Sequence, residues 1–129
     1  MGRIIAQVEV TNLKDQSKNM LLDVLIDTST SMLVLPSVWR DRLGELDEIS
    51  KVEMETADQG IVEATICGPV KIQIQGFRPI YQEVAFIEMK PIKNGKYEAL
   101  LGYVPLELSQ AAVDLIGHRL VKVKSLDLK

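Results

Sequence analysis

The chain has 129 residues, 47% of them hydrophobic and 26% charged, with a formal net charge of -3. That is long enough for one self-sufficient core, and the composition is that of a globular domain. The acidic balance gives no electrostatic reason to expect nucleic acid or an anionic membrane as partner, and no apolar run approaches the ~20 residues of a transmembrane helix.

Residues 1–129 are therefore expected to form a single domain. The N-terminus shows no long apolar signal segment, and the one cysteine, Cys67, cannot form an internal disulfide. Both fit a cytoplasmic setting, which is the expectation.

In chain order, Gly2 to Val10 alternates loosely between apolar and polar residues and predicts a strand. Thr11 to Asn19 is polar and predicts a turn. Met20 to Asp27 is a second strand, so the pair forms a hairpin that delivers Asp27 to its end. Thr28, Ser29, Thr30 and Ser31 follow, all small hydroxyl residues. They suit a loop that exposes a carboxylate while satisfying it with hydroxyls and backbone N–H groups. Taken alone, the pattern also fits an Asp that merely caps a turn.

Met32 to Leu35 predicts a short strand stopped by Pro36. Ser37 is then the expected N-cap of a short helix over Ser37 to Glu45, with Val38, Trp39, Arg42, Leu43 and Leu46 at helical spacing. Trp39 is expected to pack rather than to serve as a substrate platform. Glu48 to Thr56 and Ile61 to Ile66 flank Ala57-Asp58-Gln59-Gly60 and predict a β-hairpin. Cys67 precedes Gly68-Pro69 and is expected to be packing rather than a nucleophile.

Val70 to Gln75 alternates most clearly of all and predicts a strand. A turn at Gly76 to Pro79 leads to another strand, Tyr81 to Glu88. Pro91 to Lys96 is a loop. Tyr97 to Leu101 runs into Gly102, and Val104 to Leu108 predicts a short helix. Ala112 to Ile116 and Leu120 to Val123, joined at Gly117-His118, predict a last hairpin. The sum is an all-β, barrel-like domain with one or two short helices.

Other chemistry is poorly supported. His118 is the only histidine, so a His-based triad or a His-rich metal site is not expected. Glu45, Asp47 and Glu48 lack the regular spacing of a Ca²⁺ loop. No Gly-rich phosphate loop is present. No metal or other cofactor is expected.

Ile26-Asp27-Thr28-Ser29-Thr30 resembles the active-site loop of the retropepsin-like aspartic proteases, whose motif is an apolar pair, Asp, Thr or Ser, Gly, and Ala, Ser or Thr. Leu100-Leu101-Gly102 resembles that family's second signature, two aliphatic residues and Gly. The resemblance runs from about Met20 to about Val123 and implies a single-lobe acid-protease barrel. It implies Asp27 as the catalytic residue, Thr28, Ser29 and Thr30 as loop support and substrate contacts, and Leu100, Leu101 and Gly102 packed beside the catalytic loop. Thr56, Ala57, Asp58, Gln59 and Gly60 would form the flap.

The chemistry needs two carboxylates, and no second Asp in this chain is followed by Thr or Ser. The implied enzyme is thus a homodimer acting on peptide or protein substrates, with one Asp27 from each subunit. The chain departs from the motif at Ser29, where the family has Gly. That departure supports an alternative, a catalytically impaired dimerisation or peptide-binding module on the same fold. A third possibility is an unrelated small all-β binding domain.

Overall fold

The computed structural model describes residues 3–56 and 60–123. Its strands are β1 (Ile5–Asn12), β2 (Asn19–Ile26), β3 (Leu33–Pro36), β4 (Glu48–Thr56), β5 (Gly60–Ile74), β6 (Ile80–Ile87), β7 (Ala99–Leu101), β8 (Ala111–Asp114) and β9 (Arg119–Lys122). One α-helix, α1, spans Tyr103–Leu108, and short 3-10 helices span Ser37–Leu43 and Lys93–Gly95. Seven strands form one sheet in the order β1-β2-β7-β3-β6-β5-β4, and β1 also pairs with β5, which curls the sheet into a barrel. Strands β8 and β9 form a separate antiparallel pair.

The alternation in the first hairpin determines its orientation. Val8, Val10, Met20, Leu22 and Val24 face the main core, while Glu9, Leu21 and Asp23 face outward. A one-residue slip would turn every one of these side chains over. Strand β3 has no such alternation, because Leu33, Val34 and Leu35 are all buried. Its two faces serve different clusters. Leu33 and Leu35 join the main core. Val34 joins Ala64, Ile66, Ala85 and Ile87 in a second, smaller cluster, flanked by the partly buried Met32, Met54, Met89 and Leu100. A continuous apolar run is what a strand covered on both faces requires.

Several boundaries differ from the sequence expectations. The strands expected at Ile61 to Ile66 and Val70 to Gln75 are parts of one strand of 15 residues, β5. Gly68-Pro69 does not break it, because the register shifts between Cys67 and Val70 and a bulge absorbs the irregular pair. Gly68 has φ +129, which favours glycine. The expected helix over Ser37 to Glu45 is a 3-10 helix ending at Leu43, and Pro36, not Ser37, is its N-cap. Pro36 also ends β3 rather than merely stopping it, opposite Ile87.

Strand β1 runs two residues beyond Val10 into the expected turn. Asn12 at its end is 2% exposed. Its Nδ2 donates to the carbonyls of Leu43 at 2.7 Å and Glu45 at 2.9 Å, and its Oδ1 accepts from the Lys14 N–H at 2.8 Å. The amide thus welds the first hairpin to the 3-10 helix. Residues 57–59 (Ala57, Asp58 and Gln59), the centre of the expected flap, lie outside the described residues. On either side of it Thr56 pairs with Gly60, whose φ is +70.

Strand β7 determines how the rest is threaded. It lies between β2 and β3, parallel to the first (Ile26 opposite Leu101) and antiparallel to the second (Leu33 opposite Leu101). Directly after it, Gly102 is pressed against backbone. A Cβ there would lie 2.5 Å from both the Met32 nitrogen and the Thr30 carbonyl oxygen. Backbone cannot move aside as a flexible side chain can.

Two outcomes follow for stability. Asn12→Ala should lower unfolding stability by about 2 kcal/mol, because buried carbonyls lose their donor; urea unfolding would show this as a lower midpoint at unchanged slope. Gly102→Ala should cost about 3 kcal/mol or more. An alanine variant within about 0.5 kcal/mol of the parent would refute the contact at Gly102.

Candidate active site

The site is built from the end of β2. Leu25 and Ile26 complete the ladders with β1 and β7, and the chain then leaves the sheet at Asp27. The Asp27 N–H donates to the Leu101 carbonyl at 3.0 Å, so the backbone of the acid is anchored to β7. The residue is half-buried, and Thr28 and Ser29 beside it are exposed. An unpaired carboxylate deep in the barrel would be costly, whereas this position leaves it partly solvated.

The loop after Asp27 closes on itself. The Thr30 N–H and the Thr30 hydroxyl each donate to the Asp27 carbonyl at 3.2 Å. Thr30 is 5% exposed, so the hydroxyl satisfies itself where water has little access. Its own carbonyl accepts the Tyr103 N–H at 2.9 Å. These bonds tie Thr30 into the loop framework and join that loop to the start of α1.

Ser29 is bound to the acid itself. Its N–H donates to Asp27 Oδ1 at 3.0 Å and its hydroxyl donates to the same oxygen at 2.5 Å. The φ of Ser29 is not in the left-handed region, which among the described non-glycine residues holds Asn94, Gln110 and His118. The loop conformation therefore does not require glycine at this position. The same pattern recurs at Asp15, whose Oδ1 accepts from the Ser17 N–H at 3.1 Å and the Ser17 hydroxyl at 2.6 Å. Asp-x-Ser closes the same turn at both places, as local side-chain bonding does generally. What sets Asp27 apart is its anchorage at the junction of β2, β7 and α1.

Strand β7 brings the second signature to the first. Leu101 is buried in the main core and its carbonyl receives Asp27. Leu100 faces the smaller cluster on the other side of the sheet. The Gly102 N–H donates to the Met32 carbonyl at 2.8 Å and the Val104 N–H to the Ser31 carbonyl at 3.2 Å. Leu100, Leu101 and Gly102 thus stand beside the Asp27 loop.

The smaller cluster was not singled out from sequence as part of a site. Met32 continues directly from the loop, and Met54 and Val62 belong to the β4–β5 hairpin. The one sequence signal for it was the unbroken apolar run in β3, which marks burial on both faces without naming the partners.

The remaining candidates are structural. Cys67 is fully buried, and burial pushes its thiol pKa up, away from the reactive thiolate. Trp39 packs edge-on to Tyr97, with ring centroids 6.1 Å apart, and carries the Arg42 guanidinium 5.3 Å over its face. Asp47 is paired with Lys14 at 2.8 Å on the surface. Among the described residues no group of three or more His, Cys, Asp or Glu is placed to hold a metal ion, and no helix is long and apolar enough to cross a membrane.

No family model matches the sequence. No curated protein matches it either. Among solved structures, 156 chains match. One is the EIAV protease complexed with the inhibitor HBY-793, at 23% sequence identity and a TM-score of 0.64, with 88% of this chain and 94% of that chain covered. The chain therefore has the retropepsin-like acid-protease barrel, mostly β with short helices, and its Asp27 loop and Leu100-Leu101-Gly102 segment meet within that barrel.

Proposed function

We propose that this chain is one half of a homodimeric aspartic endopeptidase. The observation that carries the reading is a half-buried carboxylate at the end of β2, anchored through its backbone to Leu101 in a barrel shared with a retroviral protease. Two Asp27 side chains across a two-fold axis would share one proton, since neighbouring carboxylates do not both ionise easily. The ionised member takes a proton from a water, and the protonated member polarises the scissile carbonyl. No metal and no covalent intermediate enters this scheme. The β4–β5 hairpin would close over an extended peptide, and Thr28, exposed in the single subunit, is available to brace the two loops across the axis.

Ser29 motivates a second reading, a non-catalytic dimerisation or peptide-binding module on the same barrel. Both readings require a dimer. They part on whether the Asp27 carboxylate performs chemistry.

The decisive experiment is cleavage of a diverse peptide library at several mildly acidic to neutral pH values. Activity should be present in the parent and absent in Asp27→Asn, which keeps the side-chain shape but cannot act as base. Equal cleavage by both would refute the role of Asp27, and no cleavage by either would favour the binding module. Sedimentation equilibrium should show a monomer–dimer transition, and a monomer throughout the micromolar range would exclude both dimeric readings.

A further inference from the structure

One cavity shares no residue with the Asp27 loop. It has a volume of about 370 Å³ and lies where three distant segments meet: the β5–β6 turn at Phe77 and Arg78, the α1–β8 junction at Ser109 and Gln110, and the end of β9 at Lys122 and Val123. Hydrogen bonds hold each segment in place. The Phe77 N–H donates to the Ile74 carbonyl at 2.9 Å, and the Phe77 carbonyl accepts from Gln73 Nε2 at 3.0 Å. The Ser109 N–H donates to the Pro105 carbonyl at 3.0 Å. The Val123 N–H donates to the Gln110 carbonyl at 2.9 Å, which fastens the end of β9 to the end of α1. The walls are therefore in place before anything binds.

Ser109 is the part of the wall that the fold does not explain. It is 2% exposed, and its hydroxyl is buried with no hydrogen-bond partner among the described residues. Buried hydroxyls are normally paired. One water would satisfy this one, but a water takes only about 30 Å³ of liquid volume. The cavity has room for something much larger.

The charge around the cavity has one sign. Arg78 and Lys122 are both exposed, and neither side chain forms an ion pair or a hydrogen bond with any described residue. No described residue that lines the cavity is acidic. Phe77, packed against the main core, and Val123 supply apolar wall. Guanidinium and ammonium groups bind oxyanions through charge-assisted hydrogen bonds, the stronger kind.

We propose that this cavity binds a small organic oxyanion, a phosphate monoester or a carboxylate. Arg78 and Lys122 hold the charged head, the Ser109 hydroxyl donates to one of its oxygens, and the apolar body rests on Phe77 and Val123. The site uses neither Asp27 nor a second subunit, so it is independent of the endopeptidase reading.

The test is titration of the full chain with phenyl phosphate, benzoate and inorganic phosphate, followed through the backbone amide NMR signals. Phenyl phosphate or benzoate should give saturable shifts at residues 76–78, 109–110 and 122–123, and the tighter of the two identifies the head. Inorganic phosphate, which has no apolar body, should bind there about tenfold more weakly than phenyl phosphate. Asp27→Asn should bind as the parent does. Arg78→Gln and Lys122→Gln, both at exposed positions, should each weaken binding about fivefold or more. Ser109→Ala removes an unpaired group, so it should fold as stably as the parent, yet bind about threefold more weakly or worse. The proposal is overturned if no probe saturates below about 10 mM, or if the two charge variants bind as the parent does. It is equally overturned if the charge variants weaken binding and Ser109→Ala does not, since that leaves only an adventitious pair of surface charges.

Discussion

The structure depends on a contact between backbones with nothing between them. Gly102 passes so close to Thr30 and Met32 that no side chain can be placed there. That approach lets the Gly102, Tyr103 and Val104 amides reach the Met32, Thr30 and Ser31 carbonyls in succession. It also seats β7 between β2 and β3, so that the Leu101 carbonyl meets the Asp27 amide. Glycine is required here by space and not by a left-handed conformation, since its φ is -85. The acid, its loop and the first turn of α1 are one hydrogen-bonded unit because of this close approach.

Around that unit the barrel solves a problem of burial. The sheet formed by β3, β6 and β5 has apolar side chains on both faces, the main core on one side and the smaller cluster on the other. Burying a residue such as Leu or Val contributes on the order of 1.5–3 kcal/mol, so both faces add stability. The Asp27 loop leaves from the edge of this doubly covered region. Its acid is fixed through the main chain while its carboxylate stays partly in water. Rigid support below and solvent above is the arrangement that a group meant to meet another molecule needs.

Much of this was legible in the residues. Ile26-Asp27-Thr28-Ser29-Thr30 announces a strand followed by a polar loop, and Leu100-Leu101-Gly102 announces a strand followed by a tight approach. The strict alternation from Val70 marks the last part of β5, which ends at Ile74. What escaped was mostly set by partners distant in sequence. Asn12 has the composition of a turn residue, yet it is buried because the carbonyls of Leu43 and Glu45 wait for its amide. Gly68-Pro69 has the composition of a strand break, yet β4, β6 and β1 pair along β5 on either side and the bulge takes up the irregularity. Ser29 was the hardest to read. Composition says only that it differs from glycine, and its effect depends on where a single hydroxyl points.

The placement of β7 also has a consequence for how the protein is made. A ribosome releases the chain from its N-terminus, so the β1–β2 hairpin can pair long before Ala99–Leu101 exists. Until that short strand arrives, β2 and β3 have no strand between them, and the loop that carries Asp27 has no Leu101 carbonyl to hold it. Non-local pairing of this kind forms late because the intervening chain must first be closed into a loop. The acid is therefore among the last features to take its final position during synthesis. A growing chain carries the Asp27 loop before it carries the strand that anchors it.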